Sequence, residues 1–166
     1  MKLRIYNPAR NQLLATAADL AESQQQKVIG LLNRVALVPG EGLLIPDASS
    51  IHTKGMSFPI DVVFLDSTGQ VLDVLAGLSP GGHAERDNAT AVLELPAGMI
   101  AASATQTGDM LQFAPAETLE GSGYGYANVL GLLENYKLVK PGTCAAIGNL
   151  FGHVQKVRDA FLGVGQ

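Results

Sequence analysis

A mainly β fold is the expectation for this chain: a compact antiparallel β-barrel with one or two flanking helices, followed by a C-terminal helical hairpin. Three observations lead there. Between residues 42 and 114, short apolar runs recur, parted by turn residues such as Ser67-Thr68-Gly69 and Pro80-Gly81-Gly82, the pattern of many short strands. Before them, one stretch opening at Ser23 carries apolar residues at helical period. Beyond residue 120, the period becomes helical again and stays so.

Taken in order, residues 2–6 alternate and should form a strand ended by Asn7-Pro8, with a second strand at 13–18. Ser23 is a helix N-cap and Gln26 stands at the capping-box spacing. Val28, Ile29, Leu31, Leu32 and Val35 mark one face of that helix. Gly30 within the face lowers helix propensity by about 1 kcal/mol relative to Ala and is expected to let the helix approach a strand closely. Strands are expected at 42–45, 50–53, 59–66, 70–75 and 91–95. The turn at 67–69 should join two of them as a hairpin. Residues 79–90 read as a polar loop, either a solvated connection or a binding lid. Pro96 suits the first turn of a short helix, after which Gly108-Asp109 turns the chain into a last strand at 110–114.

Residues 115–125 read as a linker ending in Gly-Ser-Gly-Tyr-Gly. Tyr126, Val129, Leu130 and Leu133 mark one further helix, and Ile147, Leu150, Phe151, Val154 and Phe161 mark another. The expected organisation is a β-barrel domain at 1–120 and a helical extension at 121–166. The extension could fold back on the barrel or make a homo-oligomer through residues 126–162.

Composition bounds the function. The chain has 166 residues, 47% apolar and 16% charged, with a net charge of −4, which suits one globular domain. Residues 1–120 hold seven basic and 13 acidic residues. With no Lys/Arg cluster, nucleic acid is not an expected partner. No apolar run is long enough to span a membrane. The N-terminus lacks the apolar core of a signal peptide, so the expectation is a cytoplasmic protein unless a signal was removed. A single cysteine, Cys144, makes neither an internal disulfide nor a thiolate metal site. His52, His83 and His153 show no paired ligand spacing, and no metal or cofactor is expected.

Four pieces of the chain, in order, resemble the uncharacterised bacterial family catalogued as domain of unknown function number 192. They are Gly30-Leu31-Leu32-Asn33-Arg34, Gly42-Leu43-Leu44-Ile45, the stretch IHTKGMSFPIDVVFLD at 51–66, and Val92-Leu93-Glu94-Leu95-Pro96-Ala97-Gly98 followed by Gly108-Asp109. The resemblance spans about residues 2–114. It implies a compact β-barrel with one or two flanking helices, and polar positions at Lys54, Asp61 and Glu94, but no reaction. Where much of the family has Phe-Trp-Met-Lys-Asn, this chain has Ile51-His52-Thr53-Lys54-Gly55, so a ligand stacked on that Trp does not carry over.

The chemistry should lie with ionisable groups in apolar strands. Asp61 opens the run Val62-Val63-Phe64-Leu65, and Glu94 interrupts Ala91-Val92-Leu93-Leu95. A charge entering a core must be paired or neutralised. Two readings stand: a polar pocket at the barrel mouth lined by His52, Lys54, Asp61 and Glu94, or an internal network that fixes strand register. The first suggests a non-enzymatic binding or accessory module for a small polar ligand or a protein partner. The alternatives are an assembly protein acting through its C-terminal helices, and a hydrolase or transferase using His52 and Asp61. No Gly-x-Ser-x-Gly nucleophile elbow is present.

Overall fold

The structure is a computed structural model that describes residues 1–116. The expected linker, the helices within 126–162 and the setting of Cys144 lie outside the described residues. Those described form nine strands and two short helices. The strands are β1 (Lys2–Asn7), β2 (Gln12–Leu20), β3 (Glu41–Pro46), β4 (Ser50–His52), β5 (Ile60–Leu65), β6 (Val71–Leu78), β7 (His83–Glu85), β8 (Ala91–Pro96) and β9 (Gln112–Pro115). The helices are α1 (Gln24–Ile29) and α2 (Met99–Ser103).

Seven strands make one sheet in the order β6-β5-β8-β3-β2-β1-β9, and β4 pairs with β7 in a separate ribbon. The hairpin expected around residues 67–69 is present, with β5 antiparallel to β6. Asp66 closes its turn, since Oδ1 accepts from the Thr68 and Gln70 N–H groups at 2.7 and 3.0 Å. One pair departs from the expected antiparallel plan: β2 and β3 run parallel, Ala18 opposite Gly42 and Leu20 opposite Leu44. Parallel neighbours need a crossover, and α1 lies in it. The sheet is therefore mixed.

Its two ends approach each other at one place. Val71 N–H donates to Asp109 O at 2.8 Å, Gly108 N–H to Val71 O at 2.8 Å, and Leu111 N–H to Gly69 O at 3.0 Å. Strand order is that of an open sheet whose curvature brings the ends to touch, not a barrel closed by full pairing of its edge strands.

The helix at Ser23 is shorter than its apolar face implied. Its capping box forms, with Gln26 N–H donating to Ser23 Oγ at 3.1 Å and Ser23 N–H to Gln26 Oε1 at 2.9 Å. Gly30 then ends it, at φ 48°, a conformation few side chains tolerate. Leu31 still turns into the core, whereas Val28 and Val35 are 72% and 91% exposed. Pro96 closes β8 instead of opening a helix, and α2 starts three residues later.

The central strands β3, β5 and β8 are covered on both faces, which is why they read as continuous apolar runs and not as alternation. One face joins Leu3, Ile5, Leu14, Leu44, Val63, Leu93 and Leu95 in a core with Ile100 of α2. The other joins Leu43, Ile45, Ile60, Val62, Phe64 and Val92 with Leu31, Ile51 and Met56 from the crossover and the β4 region. The ionisable side chains of β5 and β8, Asp61 and Glu94, are therefore both buried, whereas Glu41 at the start of β3 stays partly exposed and pairs with Arg34.

Candidate functional site

Glu94 sits in the middle of β8, opposite Leu43 of β3 and Val62 of β5. Directly opposed residues share a face of the sheet, so its side chain enters the second core, on the crossover side. It is 4% exposed, and its Oε2 is buried with no hydrogen-bond partner. Burial pushes the carboxyl up to about 7, with no neighbouring charge contributing. A buried carboxylate without a partner favours its neutral form in this way.

Glu94 lines a pocket of about 410 Å³, within the size range of small-ligand sites. The walls come from three places. Residues Lys27, Val28, Ile29 and Leu31 belong to α1 and the turn after it. Ile45, Asp47 and Ser49 come from the end of β3 and the turn beyond. Ile51, His52 and Met56 come from β4 and its continuation. The lining is mixed: aliphatic side chains from α1, β3 and β4 stand beside polar ones, Gln24, Lys27, Asp47, Ser49, Ser50 and His52 among them. Lys27 Nζ donates to Asp47 Oδ2 at 3.5 Å, so those two charges offset each other.

Of the four expected site residues, this pocket brings together His52 and Glu94 only. Lys54 is exposed on the turn after β4 and is not part of the lining. Asp61 points the other way. It opposes Leu95 while Val62 opposes Glu94, so the two acids occupy opposite faces of the sheet. Asp61 is 0% exposed and both its oxygens are taken, Oδ1 by the Gly77 N–H at 2.9 Å and Oδ2 by the Ile100 N–H at 2.8 Å. Gly77 lies where the β5–β6 register slips between Ile60 and Val62, and Ile100 is in the first turn of α2, where N–H groups lack helical partners. Asp61 is thus a clamp joining β5, a bulge in β6 and α2. The expected common hollow of Lys54, Asp61 and Glu94 does not form, because strand alternation separates neighbouring acids onto different cores. For the same reason, a hydrolase or transferase pairing His52 with Asp61 has no geometric support.

The region 79–90 contains β7, which the sequence reading missed. Thr53 anchors the connection: its Oγ1 donates to Ser79 O at 2.6 Å and accepts from the Gly82 N–H at 2.8 Å. His83 stands directly opposite His52 in the ribbon. Lys27, Asp47 and Met56 were also missed as lining residues. The capped helix was visible in the sequence, but its placement over β8 depends on the parallel crossover.

A second polar cluster holds the opposite end of the sheet. Asp109 accepts from Asn7 Nδ2 at 2.8 Å, from Arg10 Nε and Nη2 at 3.1 and 3.2 Å, and from the Gln106 N–H at 3.0 Å. Burial pushes this carboxyl up, but the Arg10, Asn7 and Gln106 hydrogen bonds and the Arg10 charge outweigh it and hold the group below its usual range. The last of these bonds is the side-chain-to-backbone turn expected at Gly108-Asp109. Both Asp109 oxygens are engaged by Asn7, Arg10 and the Gln106 N–H, and the buried Asn7 Oδ1 is left without a partner.

Among the described residues, no helix is long and apolar enough to cross a membrane. A family model, DUF192 (Uncharacterized ACR), matches residues 5–113. No curated protein matches the chain. Two solved structures share its fold. A protein of Sinorhizobium meliloti 1021, described as a candidate transcription regulator, is 22% identical, with a TM-score of 0.60, over 68% of this chain and 92% of its own. A protein of unknown function from Novosphingobium aromaticivorans DSM 12444 is 20% identical, with a TM-score of 0.59, over 68% of this chain and 84% of its own. At such identities the likeness is one of fold alone.

Proposed function

We propose, on the premise that this chain belongs to the DUF192 family, whose function is uncharacterised, that it is a non-enzymatic binding or accessory module whose ligand seats against Glu94. One observation carries this reading: the buried Oε2 of Glu94 has no partner and its residue lines a pocket. An unsatisfied buried carboxyl costs stability, so its presence at a pocket wall suits a group reserved for a ligand. His52 stands with it in the lining as a second polar group, and Lys54 and Asp61 leave the ligand-binding set.

We read the curved sheet as a barrel wall, supported by the bonds from 69–71 to 108–111, with the pocket on its outer side beneath the crossover. We assign the site to a unit of residues 1–120, with 121–166 as a helical extension. A thermal-shift screen of small polar compounds on the full chain and on Glu94→Gln tests the function. Stabilisation of the native chain by one compound class, lost in a folded Glu94→Gln, is the expected result. Ligand effects identical in both proteins would remove Glu94 from the site.

A further inference from the structure

We propose that the pocket lined by Glu94 takes a small organic ammonium ion, a protonated amine carrying an apolar body of a few carbons. This rests on the binding reading above and names its ligand class. Three observations point to a cation. The Lys27 and Asp47 charges in the lining offset each other at 3.5 Å, which leaves Glu94 as the acid without a counter-charge. Glu94 is 4% exposed with a free buried oxygen, the acceptor that an ammonium donor would satisfy. The remaining wall offers an aliphatic patch for the ligand's body, with Val28, Ile29, Ile45, Ile51 and Met56 among the lining residues, beside the neutral polar groups of Gln24, Ser49 and Ser50.

A bare metal ion fits less well. It needs several converging ligands, and among the described residues no group of three metal-ligating side chains occurs. A carboxylate ligand would meet Glu94 as a like charge unless Glu94 kept its proton.

Binding of a cation is then coupled to a proton. Free Glu94 sits near 7, and an ammonium ion against it favours the carboxylate. The carboxyl proton passes to the buffer as the ammonium–carboxylate pair forms, with no covalent change in either partner. Affinity must therefore rise with pH until Glu94 is ionised without help, and stay level above that. The titratable and charged groups in the lining are Lys27 from α1, Asp47 from the turn after β3 and His52 from β4. His52 needs its own control.

The test is isothermal titration calorimetry on the full chain with n-hexylammonium, hexanamide and hexanoate as probes. Hexylammonium should bind about 30-fold more tightly near pH 8 than near pH 5.5, and near pH 6 should release about 0.9 proton, read from buffers of different ionisation enthalpy. His52→Gln should keep that dependence, and Glu94→Gln should lose it along with most of the affinity. Should Glu94→Gln fail to fold, proton release by the native chain decides alone. Absence of hexylammonium binding, or binding without proton release, overturns the proposal. Binding of hexanamide or hexanoate in preference, lost in Glu94→Gln, overturns the cation while leaving the pocket reading intact. If none of the probes binds, the cation falls and the wider screen decides the pocket.

Discussion

At the scale of single residues, Asp61 and Glu94 look alike in the sequence, each an acid inside an apolar strand, yet they meet opposite fates. Asp61 finds two backbone donors, Gly77 and Ile100; Glu94 finds none for Oε2. Asp61→Asn turns an amide N–H₂ toward one of those donors and should cost about 2–4 kcal/mol in chemical denaturation, with probe binding in the pocket unchanged. Glu94→Gln should behave oppositely with pH. In the folded chain Glu94 sits near 7, against 4.5 unperturbed. Between these values the unfolded chain binds fewer protons, so stability falls as pH rises through the interval and levels off above it. The fall is about 3 kcal/mol. Glu94→Gln, compared with the native chain in urea melts near pH 4 and pH 8, should be the more favourable at the higher pH by about that amount. The sequence identified both acids as costly burials; it could not say which would be satisfied. That depends on a bulge in β6 and on where α2 begins, both set by contacts distant along the chain.

At the scale of elements, α1 forms a wall of the pocket and is only Gln24–Ile29 long, so it depends on its ends. Its capping box and the stop at Gly30 were legible because they are local chemistry. Ser23→Ala should cost about 1 kcal/mol, read from denaturation midpoints, and should weaken probe binding by loosening that wall. The hairpin β5–β6 was legible for the same reason. The parallel pairing of β2 with β3 was not, since register between strands 20 residues apart is decided by which faces are buried and not by any local signal. Nor was β7, whose three residues, His83–Glu85, are too few for their one apolar position, Ala84, to register as a strand pattern, and which follows the connection anchored by Thr53.

At the scale of the whole molecule, two carboxyls act on stability with opposite sign. The folded-state value of Asp109 lies below its ordinary 3.8, so its contribution is fully present above that value and is lost as pH falls through the depressed one. Glu94 costs nothing below 4.5 and its full amount above about 7. Together these groups place their joint optimum at about pH 4, between the ordinary 3.8 of Asp109 and the ordinary 4.5 of Glu94. Asp109→Asn should lower stability by about 2–4 kcal/mol near pH 6, since Arg10 and Asn7 lose a charged acceptor, and should flatten the acid limb of the pH–stability curve measured by thermal unfolding. The mainly β architecture was visible from strand spacing and turn chemistry. The two-core arrangement was hinted at only by the unbroken apolar runs of β5 and β8, which signal burial on both faces.

Titration of the Glu94 side-chain carboxyl by carbon-13 NMR, in the full chain without ligand, tests the central claim most directly. A midpoint of about 7 is the predicted result. A midpoint near the unperturbed 4.5 would mean that the carboxyl has found a partner or water, and would contradict a carboxyl held in reserve at the pocket wall.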